Sequence, residues 1–241
     1  MLDRPRNRPR DRSDEVAPLR VNGQSLQPLV SGALWWPSRT TLIVADLHFE
    51  KGSSFAARGQ FLPPYDTSAT LQKLEILVEQ FRPKALIALG DSFHDRAAAE
   101  RVSRQDQARI GRLTAELDWL WIAGNHDPEP PADWGGRIAA EATIDGLVFR
   151  HEAEPERPDG EVSGHFHPKA GVRVRGRRVS ARCFVSDGRR LILPSFGAYT
   201  GGLDVLDPAV SRLFPKGFTA HLLGRKTLAA YPASALVALI G

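Results

Sequence analysis

The 241-residue chain is 42% hydrophobic and 25% charged, which excludes a chain too polar to bury a core. Thirty-two Lys and Arg against 28 Asp and Glu leave a formal charge of +4, compatible with an anionic partner without proving one. The single cysteine, Cys183, excludes an internal disulfide and a multi-thiolate zinc site and fits a reducing compartment. No apolar leader opens the chain, and the longest apolar stretch near its end, Ala233 to Ile240, falls short of the ~20 residues that span a bilayer. A cytoplasmic protein with no membrane association is therefore expected.

Residues 1–20 read as a disordered basic tail ahead of a single domain over 21–241. Arg4, Arg6, Arg8, Arg10 and Arg12 alternate with Pro5, Asn7, Pro9 and Asp11, leaving nothing to bury; this reading is preferred to a nucleic-acid-binding arm. Thr41 to Ala45 is a compact β-rich run, read as a buried strand. Asp66 is a good helix N-cap residue, and Leu71, Leu74, Val78 and Phe81 recur at helical spacing, predicting a helix over Thr67 to Phe81. Ala85 to Leu89 is a second strand, Ser103 to Glu116 a second helix and Trp119 to Ala123 a third strand. That β-α-β-α-β order implies a mostly parallel sheet with helices on its faces. Short strands follow at Leu147 to Arg150, Glu161 to Ser163, Val172 to Val174, Val179 to Val185 and Leu191 to Leu193, with Asp187-Gly188 as a hairpin turn. An α/β first half running without a linker into a β-rich second half predicts one domain with two packed sheets.

Every strand of the first half ends in metal-binding residue types. These are Asp46-Leu47-His48, Gly90-Asp91 and Gly124-Asn125-His126-Asp127; His151 and Gly164-His165-Phe166-His167 follow later strands. In open α/β sheets ligands bind beyond the carboxyl ends of the strands, so these clusters should meet at one rim. In extended chain, residues i and i+2 point the same way, so Asp46 with His48, and His165 with His167, should each offer two donors to one side. Gly90, Gly124 and Gly164 would allow tight turns. Oxygen and imidazole donors without thiolate suit Mn²⁺, Fe²⁺ or Zn²⁺. Of the seven histidines, His221 alone lies outside a polar cluster at a strand end and reads as structural. For His94 the structural and the functional reading both stand.

This ordered set, DxH, GD, GNHD, a lone H and GHxH, resembles the calcineurin-like metallophosphoesterase superfamily. The resemblance implies a four-layer αββα sandwich, two mixed β-sheets flanked by helices, around two divalent ions. Asp46, His48, Asp91 and His167 match the ligands of one ion; Asp91, Asn125, His151 and His165 match those of the other, with Asp91 bridging. His126 matches the residue that contacts the scissile phosphate, and Asp127 would orient it. Such a pair of ions clamps the attacking and leaving oxygens of an in-line displacement. A histidine placed to protonate the leaving oxygen adds ~10²–10⁴-fold.

Longer stretches are more particular: residues 46–52, 62–67, 90–95, 163–169 and 193–204. Together they are similar to the bacterial ligase-associated DNA damage response endonucleases. That resemblance implies a Mn²⁺-dependent phosphodiesterase acting on DNA in repair, in functional association with a DNA ligase, a helicase and an exonuclease. Two departures are Ala153 where proline is expected and Ser195 where alanine is expected, neither touching a predicted ligand. Lys169, Arg173, Arg175, Arg177, Arg178 and Arg182 crowd the segment after the GHxH motif. Lys169, Arg173, Arg175 and His94 are the candidate substrate contacts, a positive face beside the metals for flanking phosphates; a merely solvated strand face is the alternative. With no helix-turn-helix or zinc finger in the sequence, binding to single-stranded or flexible DNA should be sequence-tolerant. Trp119 and Trp121 read as core, Trp35 and Trp36 as a strand end, Cys183 as an inert buried thiol, and Tyr199 as a turn residue or a base-stacking platform. Two other functions stay open: a phosphodiesterase or pyrophosphohydrolase for a small nucleotide or nucleotide-sugar, and a non-catalytic metal-bearing scaffold.

Overall fold

The computed structural model describes residues 17–57, 59–60, 65–95, 97–126, 134–157 and 159–239. Two mixed sheets pack face to face. The first has seven strands in sequential order: β1 (Leu19–Val21), β2 (Gln24–Pro28), β3 (Leu34–Trp36), β4 (Thr41–Ala45), β5 (Ala85–Leu89), β6 (Asp118–Ile122) and β7 (Arg137–Ala139). The first three are antiparallel additions to the parallel run β4-β5-β6-β7. Between these strands lie α1 (Lys51–Ala57), α2 (Asp66–Phe81), α3 (Ala98–Arg101) and α4 (Arg104–Glu116). Ser103 caps α4 by accepting from the Asp106 amide, the geometry its sequence position predicts.

The second sheet holds β8 (Glu141–Ile144), β9 (Leu147–Arg150), β10 (Glu161–Ser163), β11 (Pro168–Val174), β12 (Arg177–Ser186), β13 (Arg190–Ile192), β14 (Leu203–Asp204), β15 (Thr219–Leu223) and β16 (Leu228–Pro232). Its order is β14-β11-β12-β13-β10-β9-β8, with β15 on β12 and β16 on β15. The Asp187-Gly188 turn joins antiparallel β12 and β13.

The period-2 alternation of the strands builds the layers. Leu42, Val44, Leu86 and Ala88 point outward onto Leu71 and Leu74 of α2 and Ile110 and Leu113 of α4. Ile43, Ala45, Ile87 and Leu89 point inward onto Phe149, Val162, Phe184 and Leu191 of the second sheet. The helices of the β-α-β-α-β unit thus cover one face of their sheet, because the other face is covered by strands. Beyond the second sheet, the outer layer is Val210, Leu213, Phe214 and Phe218 around the short α5 (Pro208–Ser211). Trp119 and Trp121 are core, Trp36 is fully buried in β3, and Cys183 is buried, its thiol pKa pushed up by burial.

The expected tail, 1–20, lies outside the described residues up to position 16. Its last members differ from expectation: Leu19 and Arg20 pair with Leu26 and Ser25, since Leu19 and Val21 bury on the sheet interface. No helix among the described residues is long and apolar enough to cross a membrane.

Candidate metal centre

The loops after β4, β5, β6, β9 and β10 converge at the carboxyl rim of the parallel strands. Asp46, His48, Asp91 and His151 are buried there, and His165 and His167 are partly open. The donors form two groups. In one, Asp46, His48 and His167 bring their ligand atoms within 4.8 Å of one another; in the other, Asp91, His151 and His165 do the same. His48 Nε2 lies 3.1 Å from His167 Nε2, and His151 Nε2 lies 3.1 Å from His165 Nδ1. His167 Nε2 is 3.4 Å from Asp46 Oδ1, and His151 Nε2 is 3.4 Å from Asp91 Oδ2.

One sequence expectation fails in detail. His165 and His167 do not serve one side: His167 joins Asp46 and His48, whereas His165 joins Asp91 and His151. The i, i+2 argument assumed extended chain, but φ is +53° at Asp46, +46° at His48, +45° at Asp91, +70° at His165 and +46° at His167. Left-handed backbone at non-glycine residues costs about 1–2 kcal/mol each, and its concentration on these donors marks a site whose geometry is enforced by its surroundings. Cross-links do the enforcing. His48 N–H donates to Asp91 O (2.9 Å), Phe49 N–H to Ser92 O (2.8 Å), and the His165 amide to the Asp46 carboxylate (3.1 Å). Gly90 combines φ +69° with a space that a Cβ would share with the His151 ring, 2.4 Å from Nδ1. At Gly164 the reason for glycine is close approach rather than a turn: a Cβ would stand 2.7 Å from Asp46 Oδ2.

The remaining motif residues line the same rim. Asn125 is exposed and its amide Nδ2 is 3.2 Å from His165 Nδ1. The His126 amide donates to Asp91 Oδ1 (2.9 Å), while its half-exposed ring stacks on His94 at 5.5 Å and 15° and meets the edge of His48 at 5.6 Å. His94 therefore sits beside the centre, against Phe55 and His48. Asp127 lies outside the described residues. His221 lies on β15, and burial lowers its pKa.

The basic segment is divided. Lys169 starts β11 and packs against Gly202 near the rim. Arg173 and Arg175 do not flank the metals: β11 runs away from the rim, and six to eight residues beyond His167 at ~3.3 Å each put them on the order of 20 Å off. Arg173 faces Arg178 across the hairpin and Arg175 occupies its turn at φ +49°, where both faces are exposed. Ser195 also departs from expectation: its hydroxyl donates to Asp46 O at 3.1 Å, so it does touch a predicted ligand residue. Lys51 was passed over in the sequence. It lines a cavity of about 530 Å³ with His165, Phe166 and His167; its signal was its place five residues after Asp46 in the particular 46–52 stretch.

The electrostatics favour cations. Burial and the neighbouring His167 push the His48 imidazole down to about 2, so it is a neutral lone-pair donor, and its buried Nδ1 has no hydrogen-bond partner among the described residues. Burial alone would lower His151 and raise Asp91. The hydrogen bond between them and their opposite charges prevail, lifting His151 to about 9 and lowering Asp91. His151 Nδ1 lies 3.0 Å from Leu89 O, which fixes that nitrogen as an N–H and leaves Nε2 as the nitrogen that could take an ion. Burial and His151 lower His165. Paired imidazole nitrogens facing one another beside buried carboxylates fit two divalent ions, and the oxygen and nitrogen donors suit Mn²⁺, Fe²⁺ or Zn²⁺.

A family model and a solved structure support a phosphoesterase centre here. The family model for calcineurin-like phosphoesterase matches residues 39–193. The crystal structure of Pseudomonas putida nuclease MPE is similar at 30% identity and TM-score 0.66, covering 89% of this chain and 98% of that one. YfcE, a phosphoesterase from E. coli, is similar at 16% identity and TM-score 0.41, covering 79% and 97%. A search of curated protein sequences finds no match. The chain belongs to the calcineurin-like phosphoesterase family and is a metal-dependent phosphoesterase.

Proposed function

We propose that the protein is a Mn²⁺-dependent phosphodiesterase that cuts single-stranded or flexible DNA as an endonuclease in cytoplasmic DNA repair, alongside a ligase, a helicase and an exonuclease. The observation that carries the hydrolytic reading is the pair of donor groups, Asp46/His48/His167 and Asp91/His151/His165, side by side at one rim. The DNA reading draws support from the nuclease among its structural relatives and from the motif flanks.

Asp46, His48 and His167 would hold one ion, and Asp91, Asn125, His151 and His165 the other, with Asp91 shared. When bound, the ions supply Lewis-acid stabilisation of the phosphate and a nucleophile at neutral pH. Leu89 O and Ser195 Oγ orient His151 and the Asp46 backbone. The His126 backbone amide donates to Asp91 and its ring stacks on His94; so held, the ring would protonate the leaving oxygen or stabilise its charge. Asp127 would orient it. Lys51, on the cavity wall, offers a cation to a non-bridging oxygen.

Metal-stripped protein re-supplied with Mn²⁺ should cleave single-stranded DNA and an aryl phosphodiester, and Asp91→Ala and Asn125→Ala should cut both severely, Asp91→Ala by about 10³-fold. Metal-independent cleavage, or cleavage undiminished by those substitutions, contradicts the site. Brisk aryl-ester cleavage with intact DNA would shift the substrate to a small nucleotide.

A further inference from the structure

A second cavity, of about 280 Å³, opens on the other side of the loop that closes the metal rim. Ala69, Thr70 and Lys73 of α2, Arg182 of β12 and the loop Phe196 to Thr200 line it. Lys73 and Arg182 enter it half-buried and as two cations without a counter-charge: no carboxylate forms an ion pair with either among the described residues. Each is fixed by a backbone carbonyl. Lys73 Nζ donates to Phe196 O at 2.9 Å and stands 3.7 Å over the Phe196 ring, and Arg182 donates to Ser195 O at 2.6 Å. Those bonds use one donor of the ammonium's three and one of the guanidinium's five, and the rest have no hydrogen-bond partner among the described residues. Two partly desolvated like charges held side by side are a cost to the free protein that a bound anion relieves. The strain shows in Lys73, whose pKa burial and Arg182 push down to about 7.

The loop joins this cavity to the metal centre. Phe196 and Gly197 amides donate to Ala45 O and Asp46 O (2.8 and 3.1 Å), and Leu203 N–H donates to His167 O (3.2 Å). Ala198, Tyr199 and Thr200 face the cationic cavity, whereas Gly201, Gly202 and Leu203 face the cavity with His165 and His167. Lys169, opposite Arg182 across β11 and β12, lies along Gly202 in the dividing wall. At the mouth Tyr199 is 45% exposed, an aromatic face beside two cations. That pairing is the chemistry of a nucleotide: phosphate on the charges, base on the ring.

We propose that the Lys73–Arg182 cavity is a second, metal-free phosphate subsite that holds one nucleotide of a single strand, with its base stacked on Tyr199, while the neighbouring phosphate lies at the metal rim. This rests on the phosphodiesterase reading above and names the substrate element it would grip. The cavity, at about 280 Å³, is slightly smaller than the ~300–1,000 Å³ of drug-sized ligand sites, which suits a single nucleotide.

The test is binding of a 3′-labelled oligothymidylate to the full, metal-stripped chain at pH ~6, where an ammonium pushed down to about 7 is still largely protonated, as a function of salt. Lys73→Met should weaken binding about tenfold and reduce the slope of log K against log salt by about 0.7. Lys73→Arg should restore both. Because Lys73 and Arg182 also hold backbone carbonyls, the exposed Tyr199→Ala, which touches neither, provides the independent arm. It should weaken binding about tenfold with the salt slope unchanged. A 5′-phosphorylated oligonucleotide that binds tighter, with the gain lost in Lys73→Met, assigns a terminal phosphate; equal affinities with and without it assign an internal diester. Wild-type affinity and slope in both Lys73→Met and Tyr199→Ala would overturn the subsite. Aryl-diester hydrolysis with Mn²⁺ is scored separately: its absence beside intact, Lys73-dependent binding rejects the phosphodiesterase reading and leaves the subsite standing.

Discussion

Two clusters of buried charge lie at opposite ends of the same short strand, and they are built on opposite principles. At the start of β10, Glu161 and Arg190 are fully buried and pair at 2.5 Å. Glu161 also accepts from the Glu154 amide at 2.7 Å, Arg190 donates to Leu213 O at 2.9 Å, and Arg150 reaches Glu141, Glu154 and Glu161. Positive meets negative, so the cluster's charge is balanced within the chain. At the other end, past Ser163, imidazole nitrogens face imidazole nitrogens at 3.1 Å beside the Asp46 and Asp91 carboxylates. That cluster presents lone pairs and negative charge inward, and only cations complete it. A buried polar group must be paired; the first cluster finds its partners in the chain and the second keeps places for ions.

Four substitutions and one titration sharpen this contrast. Asp91→Ala should cut Mn²⁺-supported hydrolysis of an aryl phosphodiester about 10³-fold, the several kcal/mol that metal stabilisation supplies, while circular dichroism still reports a folded chain. Glu161→Gln should do the reverse, leaving Arg190 buried and unpaired. Chemical denaturation should show a loss of about 3–5 kcal/mol, and residual folded protein should retain its turnover per bound metal. His126→Ala should lower kcat by about 10²-fold without changing the amount of metal retained. For ion binding the sign follows from His151. Its imidazole, lifted to about 9 by Asp91 and Asp46, carries a proton at neutral pH in the metal-free protein. An entering ion must expel it, so apparent affinity should climb up to about tenfold per pH unit until pH ~9 and then level off. Calorimetry in buffers of different ionisation enthalpy should count about one proton released near pH 7. Ser195→Ala is the smallest change. It removes one hydrogen bond to the Asp46 carbonyl, and a loss of about 0.5–1.5 kcal/mol in thermal stability is expected, with hydrolysis nearly unchanged.

Much of this architecture is legible in the sequence where packing is two-sided. β4, β5 and β6 are apolar at almost every position because helices cover one face and a sheet the other, and the run alone announces a buried strand. β2 is half-exposed, with Gln24, Ser25 and Gln27 among its five residues, so the antiparallel edge β1-β2-β3 leaves little pattern to read. α1 holds Gly52, Ser53 and Ser54 in seven residues, too weak a helix signal outside its tertiary setting. At the site, residue types and order pick out the acids and histidines that converge, since few other arrangements place them at five strand ends. The split of His165 from His167 is not legible in the i, i+2 spacing, because nothing in a non-glycine sequence declares φ above zero; only the resemblance to the metallophosphoesterases implies it. Nor was the bond from Ser195, 149 residues from Asp46 in the chain.

The central claim is that the rim completes itself with two cations. Anomalous scattering from a crystal grown with Mn²⁺ addresses it directly. The account predicts two peaks, one among Asp46, His48 and His167 and one among Asp91, His151 and His165, with an Asp91 oxygen reaching both. A single peak, or density elsewhere with these side chains closed on one another, would contradict it.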